Sequence, residues 1–227
     1  MIWIIFIAIS LAGWIVQLQL QNRFKKYSKI PLRSRMTGKE VAEKMLYDNG
    51  IFDVQVISTR GQLTDHYNPL KKTINLSEVV YDSYSVAAAA VAAHETGHAI
   101  QHAKGYAPLK MRSALVPIIS STSRWMMWVI LLGIIILESS NSPTVLWIGI
   151  AMFALTTLFS FVTLPVEKNA TNRAIAWLSN SGITDMTNHN EAVDALRWAG
   201  YTYVVAALSS LATLFYYIMI ALGGSRR

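Results

Sequence analysis

The chain has 227 residues, of which 53% are hydrophobic and 15% charged, with a formal net charge of +7 and no cysteine. Its apolar residues stand in long uncharged blocks, which excludes an ordinary water-soluble globular domain and predicts an integral membrane protein. The lack of cysteine excludes a disulfide scaffold and fits a reducing compartment.

The first block, residues 2–20, is long enough to cross a bilayer. It reads as a retained anchor, because MIWIIF has no basic n-region and QNRFKKYSK replaces a small-residue cleavage site. Directly behind it crowd Arg23, Lys25, Lys26, Lys29, Arg33 and Arg35. They act as positive-inside signals facing anionic lipid heads and account for the net charge without any nucleic acid partner. A short helix follows in TGKEVAEKMLYDNG, with Thr37 as N-cap, Glu40 three residues on and Gly50 as the stop. FDVQVIS, QLTDHY and KTINLS then predict three short strands in a β-meander, broken at Arg60-Gly61 and at Asn68-Pro69. Some exposed edge within residues 62–77 is a candidate to pair with an extended peptide. A helix from Ser83 or Ser85 to about His102 carries the motif HETGH.

Three further spans are expected at residues 116–137, 144–166 and 199–222. Arg124 lies inside the second and has to snorkel or face the bundle interior. Counting crossings puts residues 21–115 and 167–198 in the cytoplasm, the loop ESSNSP outside, and the terminal Arg226 and Arg227 outside, against the positive-inside rule. The expected location is the plasma membrane, with the site facing the cytoplasm. Oligomeric state is not readable from the sequence.

HETGH supplies the chemistry. His94 and His98 lie one helical turn apart on one face and can chelate one zinc, while Glu95 stands beside the open position as general base. A third protein ligand is needed, with the fourth place left for water. His102 continues the series, yet it sits roughly 12 Å from His94 along a straight helix, too far for ~2.1 Å bonds to one ion. His66 and His189 read as surface residues or partners of a ligand, and Asp185, Glu191 and Asp194 fall in a polar stretch that looks like a solvated helix. Glu167, in TLPVEKNATNRA, stands at the cytoplasmic end of the third span, on the same side as HETGH, where Pro165 marks a kink or the end of the membrane helix. It is the expected third ligand. Zinc held in this way lowers the pKa of a bound water while Glu95 takes its proton, and Tyr67, His189, Tyr201 and Arg173 are all candidates for the oxyanion donor.

The segments LTDHYNP, VAAHETGHAIQHAKGYAPLKMRSALVP and TLPVEKNATNRA resemble the YugP-like neutral zinc metallopeptidases of bacterial membranes, over nearly the whole chain. The resemblance implies a membrane zinc peptidase acting on a peptide or protein, with His94 and His98 as ligands, Glu95 as base and Glu167 as third ligand. In plan it is also similar to membrane-bound gluzincins, whose ligand glutamate is followed four residues later by an aspartate. Here that place holds Thr171, which leaves the partner behind the ligands unassigned, with Asn169 and Asn172 as candidates.

The expectation is an α-helical membrane protein of about four transmembrane helices, with a small α+β zincin-like cytoplasmic portion. Three rivals are weaker. A structural or sensory metal site in a non-enzymatic scaffold would fill all four positions with Cys or His and has no use for Glu95. An intramembrane protease needs more than the nine or so apolar residues before His94, and an LDG aspartate that is missing here. A transporter needs ionisable groups inside its spans, where only Arg124 qualifies.

Overall fold

Each apolar block folds into one continuous helix that outruns the block itself. The computed structural model describes residues 2–61 and 63–224, so Gln62, Arg226 and Arg227 lie outside the described residues. The long helices are α1 (Ile2–Tyr27), α5 (Ala107–Ser140), α6 (Thr144–Asn180) and α7 (His189–Gly224). Among the described residues these four are long and apolar enough to cross a membrane. At ~1.5 Å per residue, 34 to 37 residues reach about 50–55 Å, against a hydrocarbon core of ~30 Å, so polar turns extend past the apolar segments. The protein is thus a multi-pass, mostly helical membrane protein.

Pro165 does not end the third long helix, contrary to one of the two sequence expectations; α6 carries on through it to Asn180. Proline removes one N–H from the ladder, and the turns on either side keep the helix together.

The chain forms two compact units. One holds the described residues up to Trp14, with Lys110–Leu164 and the chain from Tyr203 onward. Its core is Ile130, Leu137, Leu146, Ile150 and Ala221. A β-carbon on Gly133 would fall 2.5 Å from Leu146 Cα, and one on Gly149 2.7 Å from Ile130 Cγ1, so glycine lets α5 and α6 meet closely.

The other unit holds Ile15–Leu109 and Pro165–Thr202. Here α2 (Gly38–Asp48) begins with a complete capping box: Thr37 accepts from the Glu40 amide, and the Glu40 carboxylate accepts from the Thr37 amide. Gly50, with φ at 69°, follows its end. Strands β1 (Gln55–Thr59), β2 (His66–Asn68) and β3 (Thr73–Ser77) form one sheet in the order β1-β3-β2, with β1 parallel and β2 antiparallel to β3. Three strands form, as expected, but β2 keeps only His66 and Tyr67 of QLTDHY and runs into Asn68, where a break was expected, and the three do not make a meander. Ile74 and Leu76 are fully buried, which puts β3 at the centre, and the short polar β2 suits an edge. Asp65 accepts from both the amide and the hydroxyl of Ser77, fixing the entry to β2 against the end of β3.

After the single turn α3 (Glu78–Tyr81), Ser85 caps α4 (Val86–Ala103) by accepting from the Ala88 amide. Six of the seven residues from Ala87 to Ala93 are buried alanines, whose small side chains let α2 pack against α4. Val41, Met45 and Leu46 of α2 complete this core with Ile74, Leu76 and Val80.

Candidate metal centre

Two helices of the same compact unit build the centre. From α4 come His94, Glu95 and His98, and from the polar part of α6 comes Glu167. Between the motif's functional residues stand Thr96 and Gly97, both facing inward. Thr96 is fully buried and turns its hydroxyl back onto the Ala92 carbonyl, so it places no polar group against α6. Gly97 lies against the backbone of Ala170, where a side chain would not fit.

That close approach brings Glu167 to the histidines. Its Oε2 is 3.2 Å from His94 Nε2 and 3.4 Å from His98 Nε2, and the three donor atoms lie within 4.8 Å of one another. Bonds of ~2.1 Å at a tetrahedral angle separate two ligand atoms by about 3.4 Å, so the two distances from Glu167 to the histidines match those of ligands sharing one zinc ion. Glu167 and His98 are buried and His94 is partly buried, which leaves the centre open along one side. Burial disfavours a charged His98, yet hydrogen bonding to Glu167 and the charges of Glu95 and Glu167 outweigh it and raise its pKa. Among the described residues these three could hold one metal ion.

Each imidazole is held from behind. His98 Nδ1 is 3.0 Å from Gln101 Oε1, and His94 Nδ1 is 3.3 Å from Thr171 Oγ1. Gln101, fully buried, donates to the Val166 carbonyl and to Asn169 Oδ1. The sequence leaves this supporting role unassigned, with Asn169 and Asn172 as candidates; Asn169 serves only at one remove and Asn172 is exposed. Gln101 was overlooked, although it stands three residues after His98 on the same helical face. Thr171, one turn beyond Glu167, stands where the gluzincin pattern has an aspartate and meets His94 through its hydroxyl.

Glu95 Oε2 accepts a hydrogen bond from the Tyr67 amide at 3.0 Å. Because Tyr67 is in β2, this contact sets the sheet edge beside the motif helix. His102 is not part of the cluster; its Nδ1 meets the Tyr67 hydroxyl at 2.8 Å. His66 lies against the Thr64 carbonyl and His189 against the Thr184 hydroxyl. Of the other carboxylates, Asp185 caps its own loop through Thr187, but Asp194 is not simply solvated, since it accepts from Tyr27 at 2.6 Å and pairs with Arg23 at 2.8 Å. Arg173 donates to Asn169, and Tyr201 packs edge-on against Trp198.

A metal-ready His, His, Glu cluster on a membrane-spanning scaffold defines the class, and the chain belongs to the family described as "Putative neutral zinc metallopeptidase", whose model matches residues 2–222. Zinc is the metal of this family. The chain is also 38% identical over 223 residues to "Putative membrane protease YugP" of Bacillus subtilis (strain 168), covering 98% of this chain and 97% of that protein. No solved structure matches it.

Proposed function

We propose that this protein is a zinc metalloendopeptidase of the plasma membrane, in which His94, His98 and Glu167 hold the metal and Glu95 is the general base. The observation that carries this reading is the convergence of three donor atoms from α4 and α6 within 4.8 Å, one residue from Glu95, which lies outside the cluster. When bound there, zinc supplies a Lewis acid that acidifies water and polarises a carbonyl. Glu95 takes a proton from the attacking water and returns it to the leaving amine, so that water adds across one peptide bond. The Glu95 contact with the Tyr67 amide supports the edge of β2 as the place where an extended substrate pairs, its scissile bond lying along the motif helix.

The basic segment behind α1 supports a cytoplasmic site, because Lys25, Lys26, Lys29 and Arg35 remain exposed on the chain that leads into the sheet. On this reading residues 21–115 and 167–198 form the zincin-like cytoplasmic portion, and the apolar parts of α1, α5, α6 and α7 cross the bilayer. The motif helix α4 is not among the four membrane-length helices, which argues against an intramembrane site.

The test is zinc content and cleavage of an unfolded protein by detergent-purified wild type, Glu95→Gln and Glu167→Ala. One zinc per chain is expected in wild type and Glu95→Gln, with cleavage only by wild type. Glu167→Ala loses both, and full zinc occupancy in that variant would refute the ligand assignment.

A further inference from the structure

The hydrogen bonds behind His98 can run in only one direction. An arginine side chain has donors and no acceptor. Arg173 Nε donates to Asn169 Oδ1 at 2.7 Å, which fixes the amide oxygen of Asn169 on that side. Gln101 Nε2 donates to the same oxygen at 3.1 Å and to the Val166 carbonyl at 2.7 Å. Neither oxygen can donate in return, so the NH2 end of Gln101 must face α6 and its Oε1 must face α4. That Oε1 is 3.0 Å from His98 Nδ1. An amide oxygen only accepts, so Nδ1 carries the hydrogen. The lone pair of the neutral ring is then on Nε2, which faces Glu167 Oε2 at 3.4 Å.

We infer that Arg173, Asn169 and Gln101 form a directional relay that locks His98 in its Nδ1–H form and so holds the Nε2 lone pair ready for the metal. Gln101 is the positioning residue, and Arg173 gives the relay its direction. This inference rests on the reading of the centre as a zinc site. The opposite tautomer would gain a longer contact to Glu167 Oε2 at 3.4 Å, but it would set a ring lone pair against the Gln101 amide oxygen at 3.0 Å in a buried place, or would turn Gln101 and set its NH2 away from two acceptors. The other histidine is held differently. Thr171 Oγ1 can donate as well as accept, so His94 keeps a choice of tautomer that His98 lacks. The relay also explains a buried glutamine beside the motif, since a side chain that both donates and accepts is needed between a carbonyl and an imidazole.

The experiment uses the full chain in detergent with 15N-labelled histidine, first free of metal at a pH where His98 is neutral, then in a competition for zinc against a chromophoric chelator. In wild type the His98 signals should show Nδ1–H alone. Gln101→Leu should lose that bias and weaken zinc binding by about tenfold to a hundredfold. Arg173→Met, which leaves the buried glutamine in place, should move both readouts the same way by less. Asn169→Asp, whose carboxylate accepts from both neighbours, should keep the wild-type tautomer. A purely structural role would lower thermal stability without moving the tautomer. The relay is overturned if His98 stays wholly Nδ1–H in Gln101→Leu, or if Arg173→Met matches wild type in both readouts. Wild type that binds no zinc would sink the metal assignment instead, and the metal-free tautomer measurement would still decide the relay.

Discussion

A β-carbon on Gly97 would lie 2.8 Å from the carbonyl oxygen of Ala170 and 3.1 Å from its Cα. The glycine of HETGH therefore sets how closely α4 and α6 approach, and with it the reach of Glu167. Because the obstacle is backbone, Gly97→Ala can be relieved only by moving a helix. Overpacking of this kind costs about 1–3 kcal/mol. Gly97→Ala is expected to unfold at lower temperature and bind zinc more weakly than wild type, as read by thermal unfolding and chelator competition. Wild-type zinc affinity in this variant would mean that the helix contact does not position Glu167.

Metal removal should destabilise the unit that carries the centre, because zinc bonds would tie α4 to α6. A ligand bound to the folded state at a hundred times its Kd stabilises by about 2.7 kcal/mol. Thermal unfolding of wild type should shift downward on adding a chelator and recover with zinc. His94→Ala should show no such shift. A wild-type melting curve indifferent to chelator would count against a site bridging the two helices.

Thr171 offers a test in both directions. Thr171→Val removes the group that meets His94 Nδ1 and should weaken zinc binding by about tenfold. Thr171→Asp supplies a carboxylate that accepts from Nδ1–H and should bind zinc more tightly than wild type. Equal affinities in all three proteins would show that His94 needs no support from behind.

The cap of α2 makes a prediction about pH. Thr37→Ala should cost about 1 kcal/mol of stability. The Glu40 carboxylate is held below its usual pKa, first by the Thr37 amide and then by the Thr37 hydroxyl. A lowered folded-state pKa gives stability that is present above the unfolded-state value and lost as pH falls through the folded-state value. From about pH 5 down to about pH 3, wild type should therefore lose more thermal stability than Glu40→Gln, whose cap does not titrate. Parallel losses in the two proteins would assign the pH dependence elsewhere.

Local sequence signals translated closely into local structure. Thr37 with Glu40 predicted a capping box, Ser85 was one of two expected starts for the motif helix, and FDVQVIS and KTINLS contain strands β1 and β3, while β2 keeps only His66 and Tyr67 of QLTDHY. These features depend on a few neighbouring residues, so the chain announces them. Pairing order does not. A parallel β1 and β3 with β2 outside follows from which strand the core buries most deeply, and that depends on α2, α3 and α4 packing over Ile74 and Leu76.

The residues of the candidate centre were legible because their types are scarce. With five histidines in the chain, two of them four apart around a glutamate define a metal-binding face, and the length of the apolar blocks fixes a membrane protein. What only the tertiary structure decided is what stands behind and beside those residues. Gln101, Asn169 and Thr171 are ordinary polar residues whose roles arise from burial at an α4 and α6 contact, and the Tyr67 amide reaches Glu95 because β2 took the edge of its sheet. Hydrogen-bond direction is set by atoms 65 to 77 residues apart in the chain, so the motif carries no trace of it, and although Gly97 permits a close approach, nothing local to the motif says that the backbone of Ala170 fills the space.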